Sequence, residues 1–210
     1  MKRITFLLVV LLAAACSSRP GATRVPQMLA PLPAGYSLQN LSDVAFPAAF
    51  TADSICWDDR TMKVSVYAMD LYDAVEVTRL VPGDSLRYQG TPMAVDSMEW
   101  RGDQLIVNGG IEYGGACLRA YEGGTWRGLL MDDHASYTLL GEVTLPLADS
   151  LAFTDCTEFP EDAPVAVAAD TLARYLQRMP DWRRAYFIPI NATVRTENGR
   201  VTEIVRRWIP

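Results

Sequence analysis

Histidine is nearly missing from this chain of 210 residues, which holds one, His134. That excludes motifs drawing two or more imidazoles from a short spacing, HExxH and the Cys/His clusters of zinc sites among them. Cysteine is scarce as well. Cys16, Cys56, Cys117 and Cys156 form no CxxC, so neither structural zinc nor thioredoxin-like redox chemistry is supported. The sequence has no Gly-x-Ser-x-Gly elbow, and its glycine pairs (Gly109-Gly110, Gly114-Gly115, Gly123-Gly124) lack the lysine of a GxxxxGK[ST] phosphate cradle. They read instead as tight turns and bulges. Asp58-Asp59, and Asp70 with Asp73, lack the alternating oxygen ligands and glycine of an EF-hand loop, so they read as solvated turns. No metal and no cofactor is expected. Basic residues are outnumbered, 19 against 25, and no basic patch with interleaved aromatics occurs. An acidic surface repels phosphate backbones, so nucleic acid is not an expected partner.

What is present begins with the first sixteen residues. Lys2 and Arg3 precede an apolar run from Ile4 to Leu12, and Ala13-Ala14-Ala15 lead into Cys16. The run is too short to cross a bilayer of roughly 30 Å, which makes it a cleaved secretory signal peptide over residues 1–15. With Leu12 four residues ahead of the cysteine, the site resembles the lipobox of bacterial lipoproteins. The resemblance implies that Cys16 is lipidated and becomes the mature N-terminus. Residues 16–40 read as a tether, because Pro20, Pro26, Pro31 and Pro33 disfavour helix and ladder alike. Ser17-Ser18-Arg19-Pro20 lacks the acidic residues that resemble a surface-export signal, so the expected location is the outer membrane, facing the periplasm. With Cys16 acylated, Cys56, Cys117 and Cys156 leave room for one disulfide at most, with three pairings open.

Removing the leader leaves 17 basic against 25 acidic residues, a net charge of −8. Half the residues are apolar and 21% are charged, the balance of a globular body, and residues 41–210 are enough for one domain. Short alternating runs separated by turns predict a mainly β fold, an antiparallel small barrel or sandwich with one amphipathic helix, α+β being the alternative. Val44–Thr51 reads as an edge strand because of Pro47, and Met62–Tyr67 as a strand with one buried face. Ala74–Leu80 reads as a strand resuming after Asp70–Asp73. Pro82-Gly83-Asp84, Gln89-Gly90 and Arg101-Gly102-Asp103 are turns; the last also spells an adhesion tripeptide, but flanking strands favour a hairpin. Leu105-Ile106-Val107 reads as a strand buried on both faces, and Thr125–Met131 and Tyr137–Leu147 as further strands. Asp170–Met179 reads as the helix, capped by Asp170, with Leu172, Tyr175, Leu176 and Met179 on one face and Pro180 ending it.

A C-terminal hairpin is expected over residues 186–209, around Asn198-Gly199. A two-residue loop would set Val194 opposite Glu203, whereas a three-residue loop, Glu197-Asn198-Gly199, pairs even positions with even and gathers Ile190, Ala192, Val194, Ile204 and Trp208. The second arrangement, with Gly199 in a G1 bulge, is therefore predicted. Val201, Val205 and Ile209 make the opposite face apolar too, which places the last strand inside the sheet.

Two constellations carry candidate chemistry. Asp132, Asp133, His134 and Ser136, with Glu122 upstream, offer a hydrolase-type or metal-assisted centre, since carboxylates beside a histidine favour its charged form. A polar loop is the plainer account. Tyr113, Tyr121 and Trp126 surround the glycine-rich turns, where exposed rings could stack on a glycan or enter a pocket on an envelope protein. An enzyme needs His134 and a carboxylate converging in a concavity; a binding module needs exposed aromatics with His134 peripheral.

Ser54, Ser85, Ser97, Ser150 and Thr171 each follow an aspartate and precede an apolar residue. The tripeptide is similar to the O-glycosylation sequon of Bacteroidota, although Asp-Ser and Asp-Thr also start turns and caps. Leu71–Leu80, Met131–Tyr137 and Val201–Pro210 resemble segments of uncharacterised lipoproteins of gut Bacteroidota. That resemblance implies location without activity, and the expectation is a non-catalytic binding or interaction module of the cell envelope.

Overall fold

The computed structural model describes residues 27–32, 34–156 and 165–209; the signal peptide, Cys16 and the first part of the tether lie outside them. Strands β1 (Met28–Leu29), β2 (Ala45–Ala49), β3 (Ile55–Cys56), β4 (Thr61–Met69) and β5 (Leu71–Asp73) lead to a short helix, α1 (Ala74–Arg79). Next come β6 (Ser85–Tyr88), β7 (Thr91–Ala94), β8 (Met98–Arg101), β9 (Gln104–Val107), β10 (Ala116–Tyr121), β11 (Thr125–Gly128) and the 20-residue β12 (Tyr137–Cys156). β13 (Val165–Ala168), α2 (Ala169–Gln177), α3 (Asp181–Ala185), β14 (Ala192–Glu197) and β15 (Arg200–Arg207) follow. The protein is mainly β.

Five strands form a closed ring. β12 pairs antiparallel with β4 through residues 137–146 and parallel with β15 through residues 147–156. β15 pairs with β14, β14 with β2, and β2 with β4, all antiparallel. An odd ring cannot close through antiparallel pairs alone, because strand direction must return to itself, and the parallel β12–β15 pair resolves this. One strand serves both neighbours by breaking register between Leu147 and Ala152. Phe46, Met62, Val64, Val66, Phe153, Val194 and Ile204 fill the ring. α2 adds Leu172 and Leu176, and the turn that follows it Met179, to the same core, on the face that the sequence spacing predicts. Burial of Leu172 and Leu176 stabilises by about 1.5–3 kcal/mol each.

Residues 70–136 leave this ring between two paired strands, β4 and β12, and build a second body. Its sheets run β5-β11-β10-β9-β8 and β1-β6-β7, and its own core contains Leu29, Tyr72, Leu86, Leu105, Leu118 and Trp126. Asp70 sits at the joint, fully buried. Its carboxylate accepts from Ser136 Oγ at 2.7 Å, from Thr138 Oγ1 at 2.5 Å and from the Gln89 amide at 3.0 Å. Its carbonyl accepts from Gly128, where an added Cβ would lie 2.1 Å from Ser136 Oγ. Asp70 is thus a linchpin between two cores and not a solvated turn.

Several sequence expectations need correction. Ala74–Arg79 is a helix, because Asp73 Oδ1 accepts from the Val75 and Glu76 amides and Val77 buries its side chain in the second core. The described residues therefore hold three α-helices, not one. Asp170 lies in the first turn of α2 while Ala168 occupies the cap, so its carboxylate meets the helix dipole instead of capping. β2 is interior, between β14 and β4; its pairing to β4 begins at Ala48, past the residue that has no N–H to give. Met28–Leu29 joins the second body beside β6, which shortens the expected tether. The last strand does lie inside its sheet, between β12 and β14. Its hairpin closes through a two-residue turn, Asn198 (φ 51°) and Gly199 (φ 72°), with Glu197 opposite Arg200. Val194 nevertheless faces Ile204, because a bulge at Thr202 restores the parity that the predicted G1 bulge would have supplied.

Candidate functional site

Alternation along the second body's larger sheet sends Leu105, Val107, Ala116 and Leu118 into the core and Gln104, Ile106, Cys117 and Arg119 to the opposite face. Register then aligns one cross-strand row: Arg101 on β8 opposite Gln104 on β9, Gln104 opposite Arg119 on β10, and Arg119 opposite Arg127 on β11. Three guanidinium groups stand in a line. Two of them are restrained by carboxylates: Arg101 Nε and Nη2 each donate to Glu99 at 2.8 Å, and Arg119 meets Asp133 at 3.0 Å and Asp103 at 3.5 Å. Hydrogen bonding to Glu99 and to Asp133, respectively, raises the pKa of Arg101 and Arg119, and Arg101 in turn lowers that of Glu99. Arg127 stacks over Tyr121, 5.3 Å from the ring centroid.

Two turns wall this face into a cleft of about 500 Å³. One is Ile111–Tyr113, which follows Gly109 (φ 78°) and Gly110 (φ 87°) and projects Tyr113, 80% exposed. The other is Met131–Asp133, closed by the Leu130 amide on the His134 carbonyl at 2.6 Å. Asp132 (φ 57°) and Asp133 (φ 60°) are both left-handed, a backbone state that costs non-glycine residues energy and tends to mark functional turns. Between the walls lie Ile106, Leu129 and Cys117, whose thiol burial pushes up in pKa and keeps protonated at neutral pH.

The sequence candidates divide around this cleft. Asp132, Asp133 and Tyr113 line it; His134 does not, and its Nε2 is buried with no hydrogen-bond partner among the described residues. Ser136 is buried at the joint, committed to Asp70, and Glu122 lies in a separate turn. Tyr121 is partly exposed, whereas Trp126 is 9% exposed and packs edge-on to Trp100 at 5.3 Å. Among the described residues no cluster of three His, Cys, Asp or Glu side chains could hold a metal ion, and Cys56, Cys117 and Cys156 are unpaired. Of the sequon residues, Ser97 and Ser150 are exposed, Ser54 and Ser85 are half-buried, and the exposed Thr171 turns its hydroxyl to the Ala168 carbonyl. Sequence reasoning missed the arginine row. The turn at Gly102-Asp103 sets Arg101 against Gln104, but the register of Arg119 and Arg127 depends on partners farther along the chain.

Comparison with family models, curated proteins and solved structures finds no match to this chain. The reading of the cleft therefore rests on its geometry.

Proposed function

We propose that this chain is a lipoprotein of the cell envelope, anchored through Cys16 to the outer membrane on its periplasmic side, whose cleft binds a ligand without transforming it. The observation that carries the binding reading is the separation of His134 from the cleft that Asp132 and Asp133 line, with Tyr113 standing 80% exposed at its rim. Arg101 is held by Glu99 and Asp133 by Arg119, so both present fixed groups to the cleft, and Glu112 and Asp132 add further acceptors at its lining. A glycan of the envelope, or a polar segment of an envelope protein, suits that lining, with Tyr113 supplying the stacking face. Ser97 and Ser150 are the sequon residues best placed to carry glycan themselves.

The test of binding titrates the protein with oligosaccharides released from the envelope, follows occupancy by NMR, and recovers the sugar afterwards. Saturable binding with unaltered sugar is expected, weakened about tenfold by Tyr113→Ala and unaffected by His134→Ala. Conversion of the sugar that disappears with His134→Ala would instead establish the hydrolase-type or metal-assisted alternative. Location is tested separately. Cys16→Ser should move the protein out of the membrane fraction, and unchanged retention would remove the anchor.

A further inference from the structure

Charge is divided unevenly along this chain. Residues 174–210 carry eight arginines against three carboxylates, net +5, whereas residues 17–173 carry nine basic against 22 acidic groups, net −13. The fold brings part of this basic tail to one face together with exposed aromatic rings, which corrects the expectation that the chain holds no basic patch with interleaved aromatics. α3 and the end of β15 meet around a cavity of about 200 Å³ whose lining includes Trp182, Arg183, Tyr186, Arg207, Trp208 and Ile209. Trp182 is 68% exposed, Tyr186 41% and Trp208 39%.

The face is held rigidly from beneath. Arg206, 1% exposed, donates to Asp155 through Nη2 at 2.6 Å and Nε at 3.2 Å, and its Nη1 donates to the Arg183 carbonyl at 2.7 Å. One buried guanidinium thus pins α3 to the barrel. Strand alternation then turns the next residue outward: Arg207 is exposed, donates to Thr193 Oγ1 at 2.9 Å, and has no carboxylate partner among the described residues. Arg183, 6.0 Å from the Trp182 ring centroid, is itself tied to Asp155 at 3.6 Å, which leaves Arg207 as the cation the face presents. Indole and phenol rings beside guanidinium groups suit the boundary between lipid headgroups and acyl chains, where the ring is half solvated and the guanidinium meets phosphate in a bidentate pair.

We infer that this face lies against an anionic phospholipid surface, with Arg207 on phosphate and Trp182 and Trp208 at the depth of the glycerol backbone. The inference goes beyond the cleft and rests on the anchoring part of the proposed function. Eleven residue steps separate Cys16 from Gln27, a reach of up to about 40 Å, so a membrane holding Cys16 is within range of the body.

The experiment places the purified full-length lipoprotein in vesicles of phosphatidylcholine alone or containing phosphatidylglycerol. Flotation reports anchoring, and hydrogen exchange at Asp181–Ala185 and Arg207–Ile209 reports the face. Slower exchange in the phosphatidylglycerol vesicles is expected, reduced about fivefold in extent by Arg207→Gln, abolished by the further change Trp182→Ala, and weakened by salt. Equal exchange in the two vesicle types, or protection that survives both substitutions, would overturn the inference. Protection that instead grows with protein concentration in lipid-free detergent would assign the face to a second copy and overturn it too. Should the protein fail to float, the anchor falls, and the same exchange comparison with vesicles added from outside still decides the face.

Discussion

Asp70 concentrates at one carboxylate what joins the two bodies, because it accepts from Ser136, Thr138 and Gln89 while contributing its own carbonyl to Gly128. Asp70→Ala would leave the buried Ser136 hydroxyl without its acceptor and free the half-buried Thr138 hydroxyl and the Gln89 amide, and a buried donor without a partner costs about 1–3 kcal/mol. A loss of roughly 3–5 kcal/mol is expected by urea denaturation, with Asp70→Asn less damaging because one acceptor oxygen remains. A loss under about 1 kcal/mol for the alanine variant would show that the joint is held elsewhere. In the sequence, Asp70 reads as a break between two strands, which locates the joint correctly. Its burial was not legible, since the donors come from residues 66 and 68 positions away. Trp126 shows the same limit from the other side: an aromatic beside glycine-rich turns has the composition of a binding surface, yet its ring lies in a core.

Elements were legible where local chemistry was sufficient. The face of α2 and its end before Pro180 follow from spacing and proline alone, and four turns predicted from Gly, Pro and Asn signals lie where expected. α1 was misread because Val75, Val77 and Thr78 are β-branched. The Asp73 cap and a place for Val77 in the core outweigh propensity differences of a few tenths of a kcal/mol. The C-terminal hairpin is the sharper case. Parity correctly demanded even positions opposite even, but the predicted loop would set Val194 opposite Thr202; a bulge can satisfy parity anywhere along the pair, and the structure puts it at Thr202, beside the register break of β12, so that Val194 meets Ile204. The turn offers a clean test, because a Cβ at Gly199 would meet nothing within 4 Å and only the backbone is strained. Gly199→Val should cost about 1–2 kcal/mol by chemical denaturation, and Gly199→Asn only a few tenths. Equal losses for the two would refute the left-handed turn.

Over the whole molecule, two cores share a dependence on pH that no single residue reveals. Tyr36, Tyr72 and Tyr88 donate their hydroxyls to the carbonyls of Tyr67, Arg87 and Leu129, and burial, the largest influence on each, raises their pKa. Tyr175, bonded to Asp155, is pushed up to about 12, first by burial and then by that carboxylate. Unfolded tyrosine ionises near 10, so the folded state binds more protons above that pH. The contribution of these four tyrosines should therefore be complete below about pH 10 and be lost between about 10 and 12, with their own tyrosinate absorbance appearing together with unfolding. Ionisation of Tyr72 or Tyr88 near pH 10 in a protein that stays folded, isolated as the absorbance lost in the Tyr72→Phe or Tyr88→Phe variant, would contradict this arrangement. At this scale too lies the division between what sequence and fold each determine. The sequence by itself determined the β-rich class, the positions of the turns, the amphipathic face of α2 and the parity of the last hairpin, since each depends on residues a few positions apart. Only the tertiary structure decided that five strands close through one parallel pair, that residues 70–136 form a second body, and that three arginines align across four strands. Those outcomes depend on register between distant segments, where many pairings satisfy the same local pattern and the packing of complete cores selects among them.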